Sequence, residues 1–167
     1  MTDNIEFSIT GLDSLLGKLD ALKVETRKKG GRVALRKAAQ VLAEKAKENA
    51  VRIDDPDTAA SIYKNISFRW NGRLYKRTGD LGFRVGVLGG ARIQKSKPKG
   101  TDPSGPGGDT RYWAFVEFGT ERARAQPFMR TALAENIELI TKTFVTHYEK
   151  AIDRAIKRAA KKAAKGA

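Results

Sequence analysis

The chain has 167 residues, with 33 Lys+Arg against 19 Asp+Glu, one His and no Cys. That length suits one domain with its own core, and the net charge of +14 suits contact with a polyanion or an acidic protein surface. Without Cys there is no disulfide framework or thiolate metal site, one His excludes two-His metal sites, and no apolar run approaches the ~20 residues of a membrane span.

In chain order, Ile5, Phe7 and Ile9 alternate with polar residues and predict a short strand. After Gly11, the leucines at 12, 15, 16, 19 and 22 recur at helical spacing. Gly30-Gly31 predict a kink or break. Helical periodicity resumes with Ala34, Ala38, Val41, Leu42, Ala46 and Ala50, a stripe of mostly small residues suited to close packing. Asp54-Asp55-Pro56-Asp57 ends that helix. A helix-stop loop fits these acids better than a divalent-cation site, because no further acids follow at loop spacing. Asp57 or Thr58 can cap a short turn running through Ile62.

Ile66, Phe68 and Trp70 alternate with Ser67, Arg69 and Asn71, which predicts a half-buried strand with a basic outer face. Asn71-Gly72 reads as a two-residue hairpin turn, with a partner strand through Arg73 to Arg77. After Thr78-Gly79-Asp80, the residues Phe83, Val85 and Val87 give the next strand. Residues 89–109 hold six Gly and three Pro and predict a long mobile loop. Tyr112 to Phe118 alternate between two largely apolar faces and predict a central strand, with Glu117 on the face of Trp113 and Phe115. Gly119 predicts a positive-φ turn.

Pro127 leads into the last helix, whose apolar stripe is Leu133, Ile137, Ile140, Phe144, Tyr148, Ile152 and Ile156. Residues 1–150 read as a single domain and 151–167 as a basic Ala/Lys-rich helical extension, whose final turns fray or project.

The charge is uneven. Residues 68–100 carry nine cations and one acid, residues 150–167 carry seven and one, and the remainder is neutral. The candidates for a surface facing DNA or an acidic protein are Arg73, Lys76 and Arg77, with Arg92, Lys95, Lys97 and Lys99 in the Gly/Pro-rich segment. No phosphate loop or dinucleotide fingerprint is present, and His147 has no adjacent nucleophile in sequence. The chain is therefore expected to be no enzyme and to hold no cofactor or metal. A toxin-like RNA enzyme would need a catalytic constellation that is missing here.

The stretch Tyr112-Trp113-Ala114-Phe115-Val116-Glu117-Phe118-Gly119-Thr120, followed by Ala125-Gln126-Pro127-Phe128-Met129-Arg130, resembles the HK97 gp10-like family of phage tail and neck proteins. Asp54-Asp55-Pro56 and Phe83-Arg84-Val85-Gly86-Val87-Leu88-Gly89-Gly90 look similar as well, and the resemblance runs from about residue 5 to 145. Thr131-Ala132 departs from it, since the family usually has Pro-Ala there. The resemblance implies an α+β fold, a small, mostly antiparallel sheet packed by long N-terminal and C-terminal helices, and a non-enzymatic virion component of a long-tailed phage, in tail completion or in the neck. Its implied partners are further copies in a sixfold ring, the phage connector or adaptor, and tail terminator or tail tube proteins, with transient DNA contact and no membrane. It implies residence in the virion, after assembly in the host cytoplasm.

Glu117 reads either as a partly exposed carboxylate at the strand end or as a buried one, which would need a cation or backbone donors. Candidate partners are Arg122, Arg124 and Arg130, in the same chain or the next subunit. The candidate subunit-interface residues are Glu117, Phe118 and Gly119 with Arg122, Arg124, Phe128 and Arg130, although Phe128 and Met129 also read as core anchors. The alternative function is a small, basic, sequence-independent DNA-binding protein. Against it stands the lack of a helix-turn-helix or a basic base-reading helix.

Overall fold

The computed structural model describes residues 24–54, 60–88 and 106–165. The expected strand at 5–9, the leucine-rich helix at 12–22, the cap at Asp57 or Thr58, and the Gly/Pro-rich segment up to residue 105 lie outside the described residues. The elements are α1 (Val24–Val51), α2 (Ile62–Asn65), β1 (Ile66–Trp70), α3 (Gly72–Thr78), β2 (Phe83–Val87), α4 (Trp113–Phe118) and α5 (Met129–Lys165).

The two long helices form the body of the fold. They run antiparallel: Asn49 Nδ2 donates to the Phe128 carbonyl at one end (3.4 Å), and Tyr148 Oη donates to the Arg27 carbonyl at the other (3.2 Å). The alanine stripe explains their close approach, since Ala34, Ala38, Ala43, Ala46 and Ala50 are all buried. The expected break at Gly30-Gly31 does not occur, and α1 runs through both glycines. Close packing overrides their low helix propensity there. A Cβ on Gly30 would lie 3.3 Å from both Ala151 Cβ and the Tyr148 ring, so the missing side chain is what admits α5.

β1 and β2 pair antiparallel in the register Ile66↔Val87, Ser67↔Gly86, Phe68↔Val85, Arg69↔Arg84, Trp70↔Phe83. Residues directly opposite share a face. One face is therefore Ile66, Phe68, Trp70, Phe83, Val85 and Val87, and it packs towards α1. The other is Ser67, Arg69, Arg84 and Gly86. Both strands follow the alternation in the sequence.

Their connection does not. In place of a hairpin turn and a strand through Arg73–Arg77, the chain forms α3. Asn71 has φ −90° and its side chain accepts the Leu74 N–H at 3.2 Å, which makes it a helix N-cap. Gly79, at φ 77°, closes the helix by donating to the Tyr75 carbonyl. Asn-Gly serves either structure. The sequence Arg73-Leu74-Tyr75-Lys76-Arg77 lacks the alternation of a strand.

The expected central strand at Tyr112–Phe118 is also corrected: residues Trp113–Phe118 are helix α4. Tyr112, Phe115 and Phe118 are three apart and exposed, while Trp113, Val116 and Glu117 turn inward. Over so few residues a period of two and a period near three and a half coincide. The described sheet thus has two strands, and the α+β class holds with helices dominant.

The core under α4 and the sheet comprises Ala43, Ala46, Ala50, Ile62, Ile66, Phe128 and Ala132. α5 kinks at Asn136 (φ −122°), whose side chain donates back to the Ala132 carbonyl. Beyond Ile152 it continues helical to Lys165, exposed from Ile156 to Lys162.

Candidate functional site

The start of α5 and the end of α4 are welded by one side chain. The first N–H groups of a helix have no intrahelical acceptor. Here Glu117, 1% exposed, supplies it: Oε2 accepts from Phe128 N (2.8 Å) and Met129 N (2.9 Å), and Oε1 accepts from Arg130 N (2.9 Å). The carboxylate also meets the positive end of the helix dipole. Arg130 Nε donates to Oε1 at 3.2 Å, and its Nη2 donates to the Glu117 carbonyl. Every acceptor site used on the buried carboxylate is filled within the chain, as its burial requires.

The loop between the two helices is equally fixed. Gln126 N donates to Val116 O at 2.8 Å, Thr120 N to Ala123 O at 2.9 Å, and Thr120 Oγ1 accepts from the Arg122 and Ala123 amides. Gly119 has φ 79° and ψ 178°, a region open to glycine alone, and a Cβ there would sit 2.8 Å from Ala125 N.

This corner sorts the interface candidates. Glu117 and Phe128 are buried in their own chain, Phe128 at 1% exposure. Arg130 is the partner of Glu117. Arg122 and Arg124 are exposed and make no ion pair among the described residues. Phe118 is 63% exposed, and the Arg130 guanidinium stacks over its ring at 4.9 Å. Phe115, also 63% exposed, was missed because a strand would have turned it inward; its spacing from Tyr112 and Phe118 is the signal that finds it.

The basic candidates Arg73, Lys76 and Arg77 are all exposed on α3. Arg92, Lys95, Lys97 and Lys99 lie outside the described residues. The structure adds a row on α1: Lys28 sits over Tyr75 (5.6 Å) and Arg32 over Trp70 (4.3 Å). Arg32, Arg36 and Val33 face Phe68, Trp70 and Phe83 across a cleft of about 430 Å³. On the opposite face of the sheet, Arg69 and Arg84 are exposed side by side.

A third fixed point organises the chain around the Gly/Pro-rich segment. Asn65 is fully buried. Its Nδ2 donates to Gly108 O and Thr110 Oγ1 (both 2.8 Å), and its Oδ1 accepts from Gly107 N at 2.8 Å. Its carbonyl accepts from Leu88 N, and Thr110 Oγ1 donates to Leu88 O. The two ends of the segment therefore meet at one residue. Gly107 passes so close to Ser61 that any Cβ would collide with the Ser61 carbonyl. Asp54, at the end of α1, accepts from Ile62 N, Tyr63 N and Ser61 Oγ, so this acid caps α2.

Among the described residues no group of His, Asp and Glu could hold a metal, and no helix is long and apolar enough to cross a membrane. The family model described as "Bacteriophage HK97-gp10, putative tail-component" matches residues 13–119. The match ends at Gly119, ahead of the Gln126–Arg130 block. No curated protein and no solved structure matches the chain.

Proposed function

The chain belongs to the HK97-gp10-like family of bacteriophage tail components, and from that premise we propose that it is a subunit of an oligomeric ring at the head–tail junction of a long-tailed phage, completing the tail or forming the neck through which DNA passes. The observation that carries the assembly step is the pair Phe115 and Phe118, each 63% exposed on a short helix that Glu117 locks to α5. Exposed aromatics held rigidly beside an arginine are what protein interfaces use as anchors, because little side-chain freedom is lost when they are covered. A closed ring joins one patch of each copy to a different patch of the next. Partners above and below the ring are the connector or adaptor and the tail terminator or tube.

Sedimentation and negative-stain microscopy test this reading. The wild-type chain is expected to form ring-sized particles and to copurify with virions. Phe115→Ser/Phe118→Ser is expected to stay monomeric while keeping its helical circular-dichroism spectrum, because both side chains are 63% exposed and outside the core. A chain that remains monomeric at every concentration and is absent from purified phage overturns the proposal.

A further inference from the structure

We propose that Arg69 and Arg84 form a clamp for a backbone phosphate of duplex DNA. The two are directly opposite in the β1–β2 register, on the sheet face turned away from α1, and both are exposed. Directly opposed residues have Cβ atoms about 5 Å apart, so two guanidinium forks can converge on the oxygens of one phosphate. Lysines at the same places would bring charge without the paired donors.

The pair breaks a local rule without visible compensation. Like charges placed opposite each other destabilise a sheet. Neither arginine makes an ion pair among the described residues, and Asp80, the sole acid of residues 60–88, is bonded to neither. Arg32 and Lys28 are different, since each is already seated over an aromatic ring. Two arginines held in register with no ion pair among the described residues, where one substitution would relieve the repulsion, favour an anionic ligand as their partner.

The surroundings select the anion. Beside the arginines lie Ser67 and Gly86, and a Cβ built on Gly86 would meet nothing within 4 Å. Among the described residues the face is an open ledge of small side chains with no apolar anchor. A protein partner would need such an anchor for a stable contact. A phosphodiester backbone needs only charge and donors. Exposed Arg73, Lys76 and Arg77 follow immediately on α3 and add to the local field. The assignment rests on the ring reading only for how DNA reaches this face.

Fluorescence anisotropy of the full chain with a short random-sequence duplex tests the clamp. Wild type is expected to bind at low salt, with affinity falling as salt rises. Arg69→Gln/Arg84→Gln is expected to weaken binding roughly tenfold and to reduce the slope of log affinity against log salt by about one. Lys142→Gln/Lys150→Gln, which removes two exposed cations from α5, is expected to change neither by as much. Arg69→Lys/Arg84→Lys, which keeps the charge and the fold, is expected to fall between. No binding by wild type, equal losses in the two Gln variants, or displacement of DNA by poly-glutamate at equal charge would each overturn the proposal. Sedimentation of the same samples reports ring formation separately, so failure of the clamp and failure of the ring are distinct results.

Discussion

Arg130 donates to both the side chain and the main chain of Glu117, thirteen residues earlier, while its own amide donates to the same carboxylate. The guanidinium then covers Phe118. One acid and one base therefore fix the angle between α4 and α5 and also hold the exposed aromatic pair in place. The surface proposed above for assembly rests on a buried polar network beneath it.

Removing that network exposes its weight. Glu117→Ala leaves the amides of Phe128, Met129 and Arg130 without their acceptor in a buried position. It should cost about 2–4 kcal/mol in urea unfolding. Glu117→Gln keeps one acceptor oxygen and should cost less. Because the alanine variant loosens the corner itself, any loss of assembly in it must be read alongside its melting curve, whereas the phenylalanine variants isolate the surface.

Asn65 is a comparable fixed point. Asn65→Ala deletes the acceptor of Gly107 N and the donors to Gly108 and Thr110. The expected cost is about 2–3 kcal/mol. Hydrogen exchange should show faster loss of protection at the Gly107 amide than at amides in the middle of α1. Equal loss throughout would mean that the staple acts only through global stability.

Much of this was legible beforehand, for identifiable reasons. The alanine stripe of α1 and the long stripe of α5 each span enough residues to separate the two periods, and Ile66–Trp70 and Phe83–Val87 were readable because apolar residues there alternate strictly with Ser67, Arg69, Arg84 and Gly86. α3 was not legible, because Asn71-Gly72 can start a helix as readily as it turns a hairpin. α4 was not, because six residues satisfy both patterns. Glu117 was readable as a buried acid in need of donors, and Arg130 was among its candidates. Its three backbone donors were not, since amides carry no sequence signature. Arg69 and Arg84 were visible as outward residues, but their opposition depends on the register.

The glycine pair in α1 gives a packing test. Gly30→Leu forces a side chain against Ala151 and Tyr148, both within 3.5 Å of the ideal Cβ. Overpacking of this kind should destabilise by about 1–3 kcal/mol in thermal unfolding. At Gly31 the nearest atom to an added Cβ is the mobile end of Leu81, so Gly31→Ala should be close to neutral.

Tyr148 sets an alkaline limit. Burial raises the pKa of its phenol above the usual value of 10.0, with the nearby Arg27 charge acting in the opposite sense. The native state therefore holds this proton more tightly than the unfolded chain. The contribution is fully present below about pH 10 and is lost as pH rises through the higher native value. Denaturant titrations should show stability falling more steeply above pH 10 in wild type than in Tyr148→Phe, with the two curves parallel at neutral pH.

Because Leu88 and residues 107–110 converge on Asn65, the two attachment points of the chain between them are held together whatever its length. Closure entropy changes by only about 0.6 kcal/mol for each doubling of the chain between two fixed points, so a peptide tag inserted between them would cost the helical scaffold little stability.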